Sequence, residues 1–422
     1  MDETFILAVK PATVRTILSL ALSRLWPVHQ LDTIYCSLLA GFVDPSRPGM
    51  VCGLNKSLYC LKQASRARYS RFATFLAKSD TSLFVYRPRD EVAYLLLYVD
   101  DVVLTASSQH LLQRNITSLQ QEFALKDLGV LHHFLGATVE PCPSGFLLHQ
   151  RQYALNILER AGMTDCNPCS SPVDTQAKLS EDAGTPVADP TAYRILAEPH
   201  LTALKCLIRY LRGTVDHGML LHRFSSAELV VYNDGDWAGC PDTHRSTLGY
   251  AVFLGGNLIS WSSKRQPIVS RSSAEAEYRT IAHGLLAEPH NPLAKSTLVY
   301  CDNDSVVYLS TNLVQHQRTK HVEIDLHFVR DRAAIGDVRV LHVATTSQFA
   351  DIFTDGLPST FSEIHSSLNI SLSNSAAPIV QAHVRPPGIQ HYARGNDCLQ
   401  GQRRDEPDYA DCSGYGNTGP RA

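Results

Sequence analysis

A surplus of charge, an apolar run of membrane length and a spaced set of cysteines are all lacking in this chain of 422 residues. Its 38 basic and 41 acidic side chains leave a formal net charge of −3, so the whole molecule offers no long-range field to draw in a polyanion. Any contact with a polyanion would have to rest on local clusters, such as Lys62 to Arg71, with Arg66 and Arg68, and Arg318 to His321. No secretory leader is read at the N-terminus and no run can span a bilayer. The expectation is an intracellular protein of the cytoplasm or nucleus, without a membrane partner. The 11 cysteines follow no disulfide-framework spacing and are expected as reduced, mostly buried apolar residues. Cys166-Asn-Pro-Cys169 has no second pair at zinc-site distance. Internal repeats are absent too.

What is present begins with a hydrophobic fraction of 44%, enough to build the cores of two to three domains. The segment from Tyr94 to Thr105 sets two runs of β-branched and bulky residues around Asp100 and Asp101. Such a pattern predicts a β-hairpin whose tight turn carries both acids. Asp is common in polar turns. Here, however, two adjacent carboxylates in an apolar setting repel one another and lose hydration, and a divalent cation compensates for both.

Helical spacing is read over Val14 to Leu25 and over Leu112, Ile116, Leu119 and Phe123. Val28 to Asp32 reads as a strand ending on an acid. Gln152 to Ala161 reads as a helix stopped by Gly162, and Leu201 to Leu211 as one closed by Gly213. Asn167 to Pro190, rich in Pro, Ser, Thr and Asp, suits a linker. Strands follow at Leu229 to Tyr232, Leu248 to Leu254, Leu258 to Trp261, Leu298 to Cys301 and Val338 to Val343. A capping box at Ser272 to Glu275 opens a helix reaching about Ala287. Val322 to Ile335 reads as a helix with Ile324, Phe328 and Ala334 as its apolar positions. This order predicts an α/β arrangement around one mixed sheet.

Four acids of this second region fall where a metal site uses them. Asp234 follows one strand, Asp302 follows another, Glu277 lies early on the helix between them, and Asp351 opens the last helix. Neighbouring strands would bring the first and second of these together. Two metals held by shared carboxylates polarise a scissile phosphate and stabilise the leaving oxygen.

Several segments resemble the RNase H domain of copia-like LTR retrotransposons: Val231 to Gly239, Ser272 to Tyr278, Val299 to Asn303, Lys320 to Asp325 and Ala350 to Thr354. The resemblance assigns metal-ligand roles to Asp234, Glu277, Asp302 and Asp351, with Asp236 as a neighbour or substitute. It gives His342 a role in ordering the attacking or leaving group. The first half is similar to the reverse transcriptase of the same elements. His29 to Asp32 and Tyr98 to Asp101 match the motifs supplying Asp32, Asp100 and Asp101 as metal ligands. Leu54 to Tyr69 matches the template- and nucleotide-contacting motif, with Gln63, Lys62 and Arg66 as substrate-binding candidates.

The resemblance implies an α/β (α+β) chain: a truncated reverse-transcriptase palm/fingers region, then an RNase H-like mixed-sheet domain and a disordered C-terminal tail. Its expected boundaries are 1–166, an incomplete reverse transcriptase; 167–226, a linker or connection; 227–358, the RNase H-like domain; and 359–422, the tail. The implied function is RNA-directed DNA synthesis with RNase H cleavage, using two Mg2+ ions, or Mn2+, per site. RNA template, DNA primer, RNA/DNA hybrid and dNTPs are the implied partners. Departures from the family pattern point to impairment by internal deletions. Asp32 runs directly into Thr33-Ile-Tyr35, and Cys60, Ser65 and Arg68 stand where Gly, Pro and Trp are usual. Segments are missing near Ala77, Leu196 and Leu286, and Asp355 stands in place of a Lys. The alternative is a catalytically inactive transposon remnant with at most nucleic-acid binding.

Overall fold

The computed structural model describes residues 10–33, 72, 74, 83–98, 101–123, 125–172, 179–180, 184, 198–286, 295–311, 323–354 and 368–372. Asp100, Lys62, Gln63, Arg66 and the segment read as a tail beyond 372 lie outside them. All described residues belong to one unit, Met1–Val384. The fold is mixed α/β, with three five-stranded sheets among the described residues.

The first sheet contains β1 (Val28–Thr33), β2 (Leu83–Tyr86), β3 (Ala93–Tyr98), β4 (Asp101–Ala106) and β5 (Leu125–Val130) in the order β2-β3-β4-β1-β5. Every pairing is antiparallel. β3 and β4 form the expected hairpin, with Tyr98 opposite Asp101 at its tip. Both strands are buried over most of their length, which explains their continuous apolar runs in place of an alternating pattern. Helix α2 (Gln109–Glu122) covers this sheet. Its first turn is capped by the Ser108 hydroxyl, which accepts from the Leu111 N–H at 3.1 Å. Leu112, Ile116, Leu119 and Phe123 are all buried, as their spacing requires.

The second sheet joins β6 (His133–Phe134), β7 (Ala137–Cys142), β8 (Gly145–His149), β9 (His217–His222) and β15 (Ile370–Leu372). Helices α3 (Arg151–Arg160) and α4 (Glu198–Gly213) share a small core of Ala154, Leu158, Ile208 and Val215 with the chain around them. Gly162, at φ +63°, ends α3 where a side chain would be strained. This sheet draws strands from three of the expected segments: β6 to β8 from 1–166, β9 from the connection and β15 from the tail. Helix α1 (Pro11–Ser23) packs against a segment far along the chain, where Arg15 Nε donates to the Ile259 carbonyl at 2.7 Å.

The third sheet carries the candidate site. Its strands are β10 (Leu229–Asp236), β11 (Thr247–Leu254), β12 (Asn257–Arg265), β13 (Thr297–Cys301) and β14 (Val338–His342), in the order β12-β11-β10-β13-β14. The first three are antiparallel neighbours, whereas β10, β13 and β14 run parallel. Parallel neighbours need long crossovers. Helix α5 (Ser273–Leu286) supplies the first, and α6 (Asp304–Thr311) with α7 (Glu323–Ala334) the second. The start of α5 is capped at Ser272, whose Oγ accepts from the Glu275 N–H at 3.2 Å, while the Glu275 carboxylate reaches back one residue beyond the cap to accept from the Arg271 N–H at 2.9 Å.

Two local readings are corrected. Ile324, expected on the apolar face of α7, is 85% exposed, and the helix buries Leu326 and Val329 instead. Its apolar residues serve three packing neighbours, α5, α6 and β14, so no single stripe marks the buried face. Asp351 opens a 3-10 turn, Asp351–Phe353, and not an α-helix among the described residues.

Candidate metal centre

The parallel pairing of β10 with β13 sets Tyr232 opposite Tyr300. Two residues further along each chain stand Asp234 and Asp302, so one register brings both acids to the same end of the sheet. Glu277 arrives from α5. Its approach depends on Gly235: a Cβ there would lie 3.0 Å from Ala276 C and from Glu277 N. The bare backbone at Gly235 therefore lets α5 sit directly on the strand that carries Asp234. As a result, ligand oxygens of Asp234, Glu277 and Asp302 all lie within 4.8 Å of one another.

Each carboxylate is held by a neutral donor. The Thr354 hydroxyl donates to Asp234. The Thr345 hydroxyl donates to Asp302 Oδ2 at 3.1 Å. Glu277 is held twice, by Asn303 Nδ2 on Oε1 at 3.0 Å and by the Cys301 thiol on Oε2 at 3.2 Å. Burial pushes Glu277 up to about 7; the hydrogen bonds from Asn303 and Cys301 oppose this, while the charges of Asp302 and Asp234 add to it. Three oxygen donors crowded so closely repel one another and disfavour ionisation of the most buried member. A hard divalent cation relieves both costs, and an all-carboxylate set matches its ligand preference. The residues present therefore fit a divalent metal ion.

Asp351 does not join this triad. It lies at the head of the turn whose last neighbour, Thr354, reaches Asp234. Asp236 ends β10 opposite Thr247, outside the triad. His342 is the β14 partner of Cys301. Its ring is half-exposed, with Nε2 3.8 Å from Asp304 Oδ1.

In the first sheet, β1 pairs with β4 through Leu31 opposite Val102. One step beyond, each strand carries an acid, Asp32 and Asp101. The Gln30 amide donates to Asp101 Oδ1 at 3.4 Å, a contact that sequence reasoning missed although Gln30 stands two residues before Asp32, on the same strand face. Asn303, Thr345, Thr354 and Gly235 were missed likewise. Only Asn303 carried a local signal, as an Asn directly ahead of a helical stretch. Among the described residues, no helix is long and apolar enough to cross a membrane.

Fold and site together define an α/β chain in which an antiparallel sheet precedes a mixed sheet with a carboxylate triad. A family model described as reverse transcriptase (RNA-dependent DNA polymerase) matches residues 1–175. The retrovirus-related Pol polyprotein from transposon RE1 of Arabidopsis thaliana is 39% identical over 85% of this chain and 28% of its own length. That from transposon TNT 1-94 of Nicotiana tabacum is 32% identical over 85% of this chain and 32% of its own length. Among solved structures, the foamy viral protease-reverse transcriptase in complex with double-stranded DNA is 14% identical, with a TM-score of 0.37, covering 68% of this chain and 60% of that one. The N-terminal RNase H domain of a Mycobacterium tuberculosis protein is 18% identical, with a TM-score of 0.25, covering 34% of this chain and 96% of that one. The chain belongs to the Pol polyproteins of copia-like LTR retrotransposons. It spans about 30% of the length of the polyproteins it matches.

Proposed function

We propose that the second half of this chain cleaves the RNA strand of RNA/DNA hybrids by metal-assisted hydrolysis. The observation that carries this reading is the convergence of Asp234, Glu277 and Asp302 within 4.8 Å. Mg2+ is the expected ion, with Mn2+ able to replace it, and two ions when bound polarise the scissile phosphate and lower the pKa of water. Asp234, Glu277 and Asp302 hold the metal. Thr354, Thr345, Asn303 and Cys301 fix the rotation of those carboxylates. Asp351, on the turn beside Thr354, adds a fourth acid, and His342 orders the attacking or leaving group. An A-form-like hybrid is recognised through its backbone and 2′-hydroxyls, without base reading.

The first half is proposed to descend from the polymerase, with Asp32, Asp100 and Asp101 as its metal ligands. Gln63, Lys62 and Arg66 would contact template, primer and dNTP. The adjacency of Asp32 and Asp101 at the ends of β1 and β4 supports this reading. A second reading, a catalytically inactive remnant that at most binds nucleic acid, is favoured by Cys60, Ser65 and Arg68 at motif positions and by Asp351 standing outside the triad.

Cleavage of a labelled RNA/DNA hybrid with Mg2+ or Mn2+, by this chain and by Asp302→Asn, tests the proposal. Metal-dependent cutting that the substitution abolishes supports hydrolysis at this centre. Soluble protein that cuts no faster than the variant is the inactive remnant.

A further inference from the structure

We infer that Asn303 is a positioning residue for the metal centre, tying the N-terminus of α6 to the Glu277 carboxylate. The inference rests on the metal reading above and goes one shell further out. Asn303 works with both ends of its amide. Oδ1 accepts from the Ser305 N–H at 3.0 Å, and the backbone carbonyl accepts from Val306 and Val307 at 3.0 and 3.3 Å, so Asn303 is the N-cap of α6. The opposite end, Nδ2, donates to Glu277 Oε1 at 3.0 Å. Its own N–H points to Cys301 Sγ at 3.3 Å, and that thiol donates to Glu277 Oε2 at 3.2 Å. Both Glu277 oxygens are thus gripped by one short segment, Cys301 to Asn303, which also carries Asp302.

The grip is neutral. A Lys or Arg beside Glu277 would cancel the negative charge that attracts a cation, whereas an amide and a thiol fix the carboxylate without adding charge. Because Asp302 lies between the two gripping residues, the segment sets Glu277 and Asp302 relative to each other as one piece. A buried Glu side chain otherwise has three torsions to lose when a metal orders it. Pre-ordering it lowers that cost on binding.

A purely structural cap predicts a different outcome from a positioning residue. Asn303→Ser keeps an N-cap of similar strength but cannot reach Glu277. The measurement is binding of Mn2+ to the full chain, followed by the spin-resonance signal of the free ion, with thermal melting in EDTA alongside. The expected result is melting in EDTA close to the unsubstituted chain for Asn303→Ser. Mn2+ affinity should fall about 10- to 100-fold in that variant. Unchanged Mn2+ affinity would reduce Asn303 to a helix cap and overturn the assignment. Absence of saturable Mn2+ binding by the unsubstituted chain would remove the metal reading itself, and the assignment with it.

Discussion

Glu277 is the residue in which burial, charge and function meet. It is 6% exposed and sits at about 7, against an ordinary 4.5. An acid whose folded pKa is raised binds its proton more tightly in the folded state. Its contribution to stability is therefore complete below about 4.5 and is lost as pH rises towards 7. For a shift of this size the loss is on the order of 3 kcal/mol. Metal-free chain should melt at a lower temperature at pH 8 than at pH 5, and Glu277→Gln should flatten that slope, as scanning calorimetry in EDTA would record. Because a bound cation requires the ionised carboxylate, metal affinity should rise over the same window. The identities of Asp234, Glu277 and Asp302 were legible as residues, since each sits at a strand end or helix start. Their donors were not, because Thr345 and Thr354 reach the acids from 43 and 120 residues away in the chain.

Elements set how close those residues come. α5 lies on β10 because Gly235 has no side chain, with Ala276 and Glu277 backbone at 3.0 Å from where a Cβ would stand. Those neighbours are backbone atoms, which cannot swing aside. Gly235→Ala should therefore shift α5, cost about 1–3 kcal/mol of stability and weaken metal binding in parallel. A variant with unchanged melting temperature and unchanged Mn2+ affinity would show that the helix tolerates the extra atom. At this scale the sequence reading succeeded wherever a segment faced one partner. α2 has one apolar stripe and was placed within a few residues. α7 packs against α5, α6 and β14, and its inward face was misassigned to Ile324 because three partners divide the apolar positions.

Over the whole molecule, distant segments complete each other's sheets. β15 adds to β9, with Ile370 opposite Met219. Just before it, Asn369 bonds to the backbone of Leu220 at 2.7 Å and of Gly256 at 2.6 Å. Leu368 is 7% exposed in a core with Tyr232, Phe253 and Tyr300, the layer beneath β10 and β13. Leu368→Ala should cost about 2–4 kcal/mol, seen as a lower denaturation midpoint. A chain ended at residue 358 should melt below one ended at residue 384. Equal midpoints for these truncations would mean that β15 adds nothing to the fold.

The amino-acid sequence by itself determined the local units: the β3–β4 hairpin with its acids, the capped start of α5, the stop at Gly162 and the apolar stripe of α2. These depend on neighbours within one or two turns, where propensity and periodicity act directly. It also determined family membership through motifs in a fixed order. Tertiary structure alone decided which strands became neighbours, and therefore that Asp234 and Asp302 share one end of a parallel pair. It decided the exclusion of Asp351 from the triad, the neutral grip on Glu277 and the recruitment of β15. Such pairings are set by the burial and backbone bonding that remote segments exchange, and no local pattern encodes the partner.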